Sequence, residues 1–443
     1  MPKADGRNTQ MKETKKLSTQ PLSLPDKSGR VSLLKGESNK VSRRLALEPY
    51  KGTRDFYPKD QFVQNYIFSV WKKVVESYGY LEYGASILEE TDLYRAKTGE
   101  EIVNEQTYSF TDRGGRDVTI RPEMTPTVAR MVAQRRKELI FPLRWYSVPN
   151  LFRYERPQRG RLREHWQLNV DMFGVDSVEA DVEIISLAYD IMKAFGAKDD
   201  NFQIRINDRH QLNKMFDEMG VPKEKHNDLR RLMDKRDKIR YFDEQAEKIL
   251  GKPFKLPQVA GLEIIAKLKQ QGISNVKFDP FLVRGLDYYT GTVFEMYDTN
   301  PVNPRALFGG GRYDDLVGIF GVEKVSGVGF GWGDVTTRDF LETYNLLPEY
   351  YPPVQLYICH LDNYLEHATK LAGELRIQGL NIAVDLTDRK VSAQVKTADK
   401  EKIPFVLVVG EEEVKSGKYK VKSLKDGEER IVSREEISDL VSP

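Results

Sequence analysis

The chain carries two hydrophobic rhythms, one helical and one of alternating strand residues. Between residues 59 and 78 the apolar pairs Phe62/Val63, Tyr66/Ile67, Val70/Trp71 and Val74/Val75 recur every four positions, which predicts an amphipathic helix stopped by Gly79. Val118, Thr119 and Ile120 are β-formers. Thr125 is a good N-cap and Pro126 suits a first helical turn, so Arg121 and Glu123 fall at a strand-to-helix corner. Residues 145–154 and 164–173 read as two strands around a polar loop. In the second, alternation puts Trp166, Leu168, Val170 and Met172 on one face and His165, Gln167, Asn169 and Asp171 on the other. One face is core; the other is a row of hydrogen-bonding groups.

Residues 178–195 predict a helix with Glu179, Asp181 and Glu183 in its first turns and Gly196 as its stop. Residues 200–275 read mostly as charged amphipathic helix, and strand and glycine return over 278–297 and 307–332. After a proline-rich linker at 350–353, strand (354–359), helix (364–377), strand (382–385), helix (391–401) and strand (404–409) alternate, which predicts a small separate α/β domain. The expected organisation is a basic disordered tail at 1–45, a catalytic domain at 46–175 and 276–349, a mainly helical insertion at 176–275, and the α/β domain at 354–443.

Composition adds limits. The chain has 443 residues, 40% hydrophobic and 31% charged, with no run near the roughly 18 apolar residues of a membrane span. Residues 1–45 hold 11 basic and 4 acidic residues, net +7, against −5 for the rest. With no aromatic residue before Tyr50, that tail cannot bury enough surface to offset its ordering entropy. The lone Cys359 excludes an intramolecular disulfide framework, and five His without Cys partners leave no zinc ligand set, so a reducing, cytoplasmic location is expected. The P-loop, GxGxxG and GxSxG patterns are absent, which removes the usual support for a P-loop NTPase, a simple dinucleotide dehydrogenase and a serine hydrolase.

Candidate chemistry concentrates in three places. The loop holding Arg156, Arg159, Arg161 and Arg163, with Arg153 before it, offers planar bidentate donors suited to phosphate or carboxylate. Gly327, Gly329, Gly331 and Gly333 alternate with Val328, Phe330 and Trp332, so in a strand four glycines face one side and leave room for a ligand or a closely packed element. Arg284 precedes the paired Tyr288 and Tyr289, either as a surface stack or as a charge held over a site.

Taken in order, Lys51-Gly-Thr-Arg-Asp-Phe, Arg121-Pro-Glu-Met-Thr125, Phe152-Arg-Tyr-Glu-Arg-Pro-Gln-Arg-Gly-Arg161, Leu282-Val-Arg-Gly-Leu-Asp-Tyr-Tyr289 and Gly310-Gly-Arg-Tyr-Asp314 closely resemble the histidyl-tRNA synthetases, from about residue 50 to the C-terminus. The resemblance implies an α+β fold: a class II antiparallel-sheet catalytic domain with a helical insertion, and a C-terminal α/β anticodon-binding domain, in a homodimer. It implies ATP and Mg2+, with L-histidine and tRNA(His) as partners and no membrane. By the family pattern Arg153 and Arg284 are catalytic. Histidine would lie among Glu123, Met124, Thr125, Arg153, Gln167, Asp171, Arg284, Tyr288 and Tyr289, with the tyrosines reading the imidazole. ATP would meet Arg153, Glu155, Arg161, Arg163 and His165.

Three positions depart from the pattern. Ser86 stands where motif 1 has proline, His165 where the adenine-stacking Phe is expected, and Gly333-Asp-Val-Thr336 where motif 3 reads Gly-Leu-Glu-Arg. Arg338 or Arg312 is the expected replacement for the lost arginine. A non-catalytic synthetase-like regulatory protein of histidine biosynthesis is the alternative. Such paralogues usually lack the C-terminal domain and the full Arg284/Tyr288/Tyr289 block, both present here. A class II ligase for Pro, Thr or Gly should lack residues 282–289.

Overall fold

A computed structural model describes residues 46–95, 106–234, 236, 239–255, 262–283, 288–302 and 304–441. The expected tail at 1–45 and Arg284 lie outside the described residues. Residues 46–49 are exposed coil and belong to an N-terminal unit separate from Tyr50–Pro443.

The first helix spans Pro58–Ser77 and buries Gln64, Ile67, Trp71 and Val75 along one stripe, the spacing that the apolar pairs require. It leads to β1 (Leu81–Glu82) and to a small antiparallel sheet of β2 (Leu88–Glu90), β3 (Tyr108–Thr111) and β4 (Asp117–Ile120) in the order β2-β4-β3. Helix Thr125–Gln134 follows β4; Met124 is its N-cap, so Thr125 is the first helical residue rather than the cap. Next come β5 (Leu143–Ser147), β6 (Asn150–Phe152) and β7 (Glu164–Phe173). The expected strand at 145–154 is therefore two strands broken before Asn150, at Val148-Pro149, because proline lacks the N–H a ladder needs; both pair with β7.

With β8 (Phe202–Asp208), β9 (Val276–Phe278), β10 (Thr292–Asp298), β11 (Arg305–Arg312) and β12 (Gly327–Gly333) the chain completes a nine-stranded sheet, β1-β5-β7-β12-β11-β10-β8-β9, with β6 paired to β7. Its central pairs are antiparallel, and the outer pairs β1–β5 and β8–β9 are parallel. Helices Pro58–Ser77 and Val178–Ala194 cover one face, where Leu168, Val170 and Met172 of β7 meet Trp71, Ile185 and Trp332 in one core. Trp332 stacks on Phe308 with ring centroids 4.1 Å apart, worth about 0.5–1.5 kcal/mol beyond its buried area.

The helical insertion is narrower than the 176–275 expected. Helix Val178–Ala194, β8, helix Glu263–Gln270 and β9 all belong to the main sheet and its covering layer. Leu212, Met215, Phe216, Leu229, Met233 and Phe242 form a separate core between residues 209 and 250. Charged amphipathic helices look alike along the sequence whether they cover a sheet or pack on one another, so periodicity alone does not separate the two groups.

The C-terminal part has β13 (Leu356–His360), β14 (Ile382–Val384), β15 (Phe405–Val409), β16 (Lys418–Ser423) and β17 (Glu429–Ser433) in the order β14-β13-β15-β16-β17. Helices Leu365–Ile377 and Val391–Lys400 connect the parallel strands, as the alternation predicts, and its two faces have their own cores. The antiparallel β16–β17 hairpin lies beyond the elements expected from the sequence, although Tyr419 and Val421 alternate with Lys418, Lys420 and Lys422 and turn toward the core.

Candidate active site

On the sheet face away from the two covering helices lies a cavity of about 470 Å3. It gathers Glu123, Thr125, Arg153, Glu155, Arg161, His165, Gln167, Asp171, Tyr288 and Tyr289 from the expected set. Three of these, His165, Gln167 and Asp171, come with Asn169 from β7 by alternation, while the apolar residues between them enter the core.

The glycines of β12 explain how the wall is built. A Cβ on Gly329 would strike Val170 O and Asp171 Oδ1, and one on Gly331 would strike the Gln167 side chain. Side chains from the neighbouring strand lie flat across the glycine backbone, so Asp171 and Gln167 reach the cavity.

At one end the polar groups are buried and interlocked. Tyr313 Oη donates to Asp171 Oδ1, Tyr288 Oη donates to Glu123 Oε2 at 3.2 Å, and the Tyr288 ring lies 4.9 Å from Tyr289 and 5.9 Å from Tyr313. Asp171 Oδ2 is buried with no hydrogen-bond partner among the described residues, which makes it an acceptor suited to an N–H of a guest. Burial raises the Asp171 carboxyl to about 7, opposed by the Tyr313 hydrogen bond. The tyrosines are held at both flanks. Thr290 N donates to Arg312 O at 2.7 Å on one side, and on the other Asn207 Nδ2 donates to Pro280 O at 3.2 Å and Leu282 O at 2.9 Å.

The other end is cationic. Arg153 Nε donates to Pro122 O at 2.9 Å, which fixes the guanidinium beside the strand-to-helix corner, and Arg161 Nη1 lies 3.6 Å from Glu155 Oε2. His165 is kept neutral, its imidazolium pushed down to about 3 by burial and then by Arg153 and Arg54.

Family models place this constellation: one described as histidyl-tRNA synthetase matches residues 52–248 and 203–333, and one described as anticodon binding domain matches residues 355–442. The chain belongs to the histidyl-tRNA synthetase family. The histidine–tRNA ligase of Leptospira biflexa is 44% identical over 412 residues, covering 86% of this chain and 94% of that protein. That of Thermoplasma volcanium is 36% identical, covering 90% and 98%. The solved structure of apo S. aureus histidyl-tRNA synthetase aligns with a TM-score of 0.70 at 26% identity, over 90% of this chain and all of that one.

Four residues expected at the site, two from the synthetase pattern and two as replacements for its lost arginine, do not line the cavity. Met124 is fully buried, turned away between Glu123 and Thr125. Arg163 falls in a bend before β7, where strand alternation does not extend; its Nη1 donates to Tyr50 Oη at 2.9 Å and its guanidinium lies 4.0 Å from the Tyr154 ring centroid. Arg312 is buried on Asp181, Nη2 to Oδ2 2.5 Å, with Val175 O and Ser177 O as further acceptors. Arg338 pairs with Asp60 at 3.0 Å and Glu342 at 2.8 Å. Both are engaged by carboxylates, and neither lines the cavity. Asn169, Glu295 and Tyr313 line the cavity and were not expected there. Asn169 was readable from the β7 alternation and Tyr313 from the Gly-Gly-Arg-Tyr-Asp motif, whereas nothing in the sequence singles out Glu295.

Proposed function

We propose that the cavity joins L-histidine to ATP as histidyl-adenylate and passes the histidyl group to tRNA(His). The chain is an aminoacyl-tRNA synthetase, with ATP as substrate. The observation that carries the reading is one β7 face running from a buried acid-and-phenol cluster at Asp171 to an arginine-lined end at His165. An amino acid and a triphosphate need those two environments side by side.

The histidine carboxylate attacks the α-phosphorus and pyrophosphate leaves; a terminal ribose hydroxyl of the tRNA then attacks the anhydride carbonyl and AMP leaves. Glu123 and Gln167 take the ammonium group, Asp171 with Tyr288 and Tyr289 reads the imidazole, Arg153 neutralises the α-phosphate and Arg161 covers the outer phosphates. Positioning and charge neutralisation carry the rate. Buried polar atoms left unpaired by any other side chain give the selectivity. The wall carboxylates Glu155 and Glu295 are hard oxygen donors of the kind that would hold a Mg2+ ion, which would supply further neutralisation of phosphate charge.

Residues 354–443 would hold the anticodon. A homodimer is supported by Leu81, Ile87, Leu88 and Phe110, apolar residues exposed on and near the small sheet. Among the described residues no helix is long and apolar enough to cross a membrane. Pyrophosphate exchange into ATP, assayed with each of the twenty amino acids, tests the reading. Exchange with histidine alone is expected; exchange driven by proline or threonine overturns it. No exchange with any amino acid would favour the regulatory paralogue.

A further inference from the structure

We propose that the cluster Arg159–Asp339–Arg305 seats the terminal phosphate of ATP, in place of an arginine carried by the helix after β12. The inference rests on the reading of the cavity as an ATP-dependent ligase site.

Helix Asp334–Thr343 follows directly on β12, and its residues advance by 3.6 per turn. Thr336, where the family pattern has arginine, lines the cavity. Asp339 and Thr343, three and seven residues on, share its face, whereas Arg338, two residues on, points to the opposite side and to Asp60. The cavity-side face therefore carries a carboxylate, and that carboxylate collects two guanidinium groups from distant parts of the chain. Arg159 Nε donates to Asp339 Oδ1 at 2.7 Å, Arg159 Nη2 donates to Thr343 Oγ1 at 3.3 Å, and Arg305 Nη2 pairs with Asp339 Oδ2. Arg305 Nη1 also donates to the Arg159 carbonyl at 3.1 Å, tying the loop to β11.

Two guanidinium groups on one carboxylate leave an uncompensated positive charge. Arg305 Nε is in addition buried with no hydrogen-bond partner among the described residues. The cluster abuts the cavity wall directly. Gly160 lines the cavity with φ +77°, and a Cβ on it would collide with the Arg305 guanidinium. Arg161 and Ala306, the chain neighbours of Gly160 and Arg305, line it as well. Register places the cluster far from the amino-acid end: Gly333 pairs with Gln167 and Gly329 with Asp171, and Arg305 lies four residues before Gly309, the partner of Gly331. From Asp171 to His165 is roughly 20 Å of extended strand at about 3.4 Å per residue. A triphosphate reaching past Arg153 and Arg161 arrives with its last charges at Arg305, whose planar fork matches phosphate oxygens.

The test uses the full-length protein and two nucleotides. Arg305→Ala should weaken ATP binding about tenfold in titration calorimetry and leave AMP binding within twofold, because AMP carries only the α-phosphate. Arg305→Lys should recover part of the loss, and its melting temperature guards against a folding failure. In pyrophosphate exchange the KM for ATP should rise about tenfold and that for histidine stay within twofold. Equal loss of ATP and AMP affinity would mean that Arg305 only shapes the wall, and unchanged ATP affinity in the Arg159→Ala/Arg305→Ala double variant would remove the cluster from the nucleotide site; either overturns the proposal. Failure of the wild-type protein to exchange pyrophosphate with histidine would instead overturn the ligase reading, and calorimetry with ATP and AMP still distinguishes the two.

Discussion

At the Asp171 end of the cavity the polar side chains are shut away from water: Asp171 and Glu123 are each 3% exposed and Tyr288 5%. At the Gly160 end the Arg159 side chain is 54% exposed, and its partner Asp339 lies 180 residues away in the chain. The first end must tell one small molecule from others of similar size, and a buried, interlocked set does so because a wrong guest leaves desolvated atoms unpaired. The second end must neutralise charge, which acts over several ångströms and can be supplied by any arginine within reach. The residues at the selective end are therefore fixed individually, while those at the neutralising end can be exchanged across elements.

The largest expected effect is at Asp171. Asp171→Asn should raise the KM for histidine about 100-fold or more, since a buried carboxylate that accepts from a substrate N–H is worth at least about 2–3 kcal/mol. The same variant should be more stable than the wild type at pH 8. A carboxyl raised to about 7 in the folded protein, against about 3.9 unfolded, binds its proton more tightly when folded, so wild-type stability falls as pH rises between those values and levels off above 7. Melting curves of the pair should coincide near pH 3.5 and separate by a few degrees at pH 8. A variant less stable at pH 8 would mean that Asp171 is ionised and stabilised in the folded protein.

Tyr288→Phe removes the hydroxyl that Glu123 accepts and should raise the KM for histidine about tenfold, leaving that for ATP alone. Asn207→Ala is a subtler probe, because Asn207 touches neither substrate; it leaves two carbonyls of the segment before the tyrosines without their donor. A rise of about three- to fivefold in histidine KM with ATP KM unchanged is expected, and equal rises in both would show a general loosening of the sheet. The smallest effect tests the neutralising end by contrast. Arg338→Ala should change the ATP KM less than about twofold, since its guanidinium serves Asp60 and Glu342 in a half-exposed pair worth under about 1 kcal/mol.

The same contrast decides what the sequence disclosed. The β7 wall was legible because alternation is a local rule: once Leu168, Val170 and Met172 are assigned to the core, Gln167, Asn169 and Asp171 must face the cavity. Arg163 escaped that rule because a bend precedes the strand, and Met124 because a corner turns consecutive side chains in different directions. Arg312 and Arg338 misled because an arginine near a motif shows its position but not its partner, and Asp181 and Asp60 claim them through tertiary contacts. The Asp339 pairings span 180 and 34 residues, which no periodicity reveals. In the fold, strands with apolar alternation and helices with an apolar stripe were visible, whereas the β16–β17 hairpin and the extent of the insertion were set by packing.

The most direct measurement follows ATP labelled at the α-phosphate through a single turnover, with protein in excess, Mg2+ and histidine present and tRNA absent. The expected product is protein-bound histidyl-adenylate, one per cavity, formed with histidine and with no other amino acid, and discharged when tRNA(His) is added. Label recovered as ADP, or as AMP at the same rate without histidine, would contradict attack of the histidine carboxylate on the α-phosphorus.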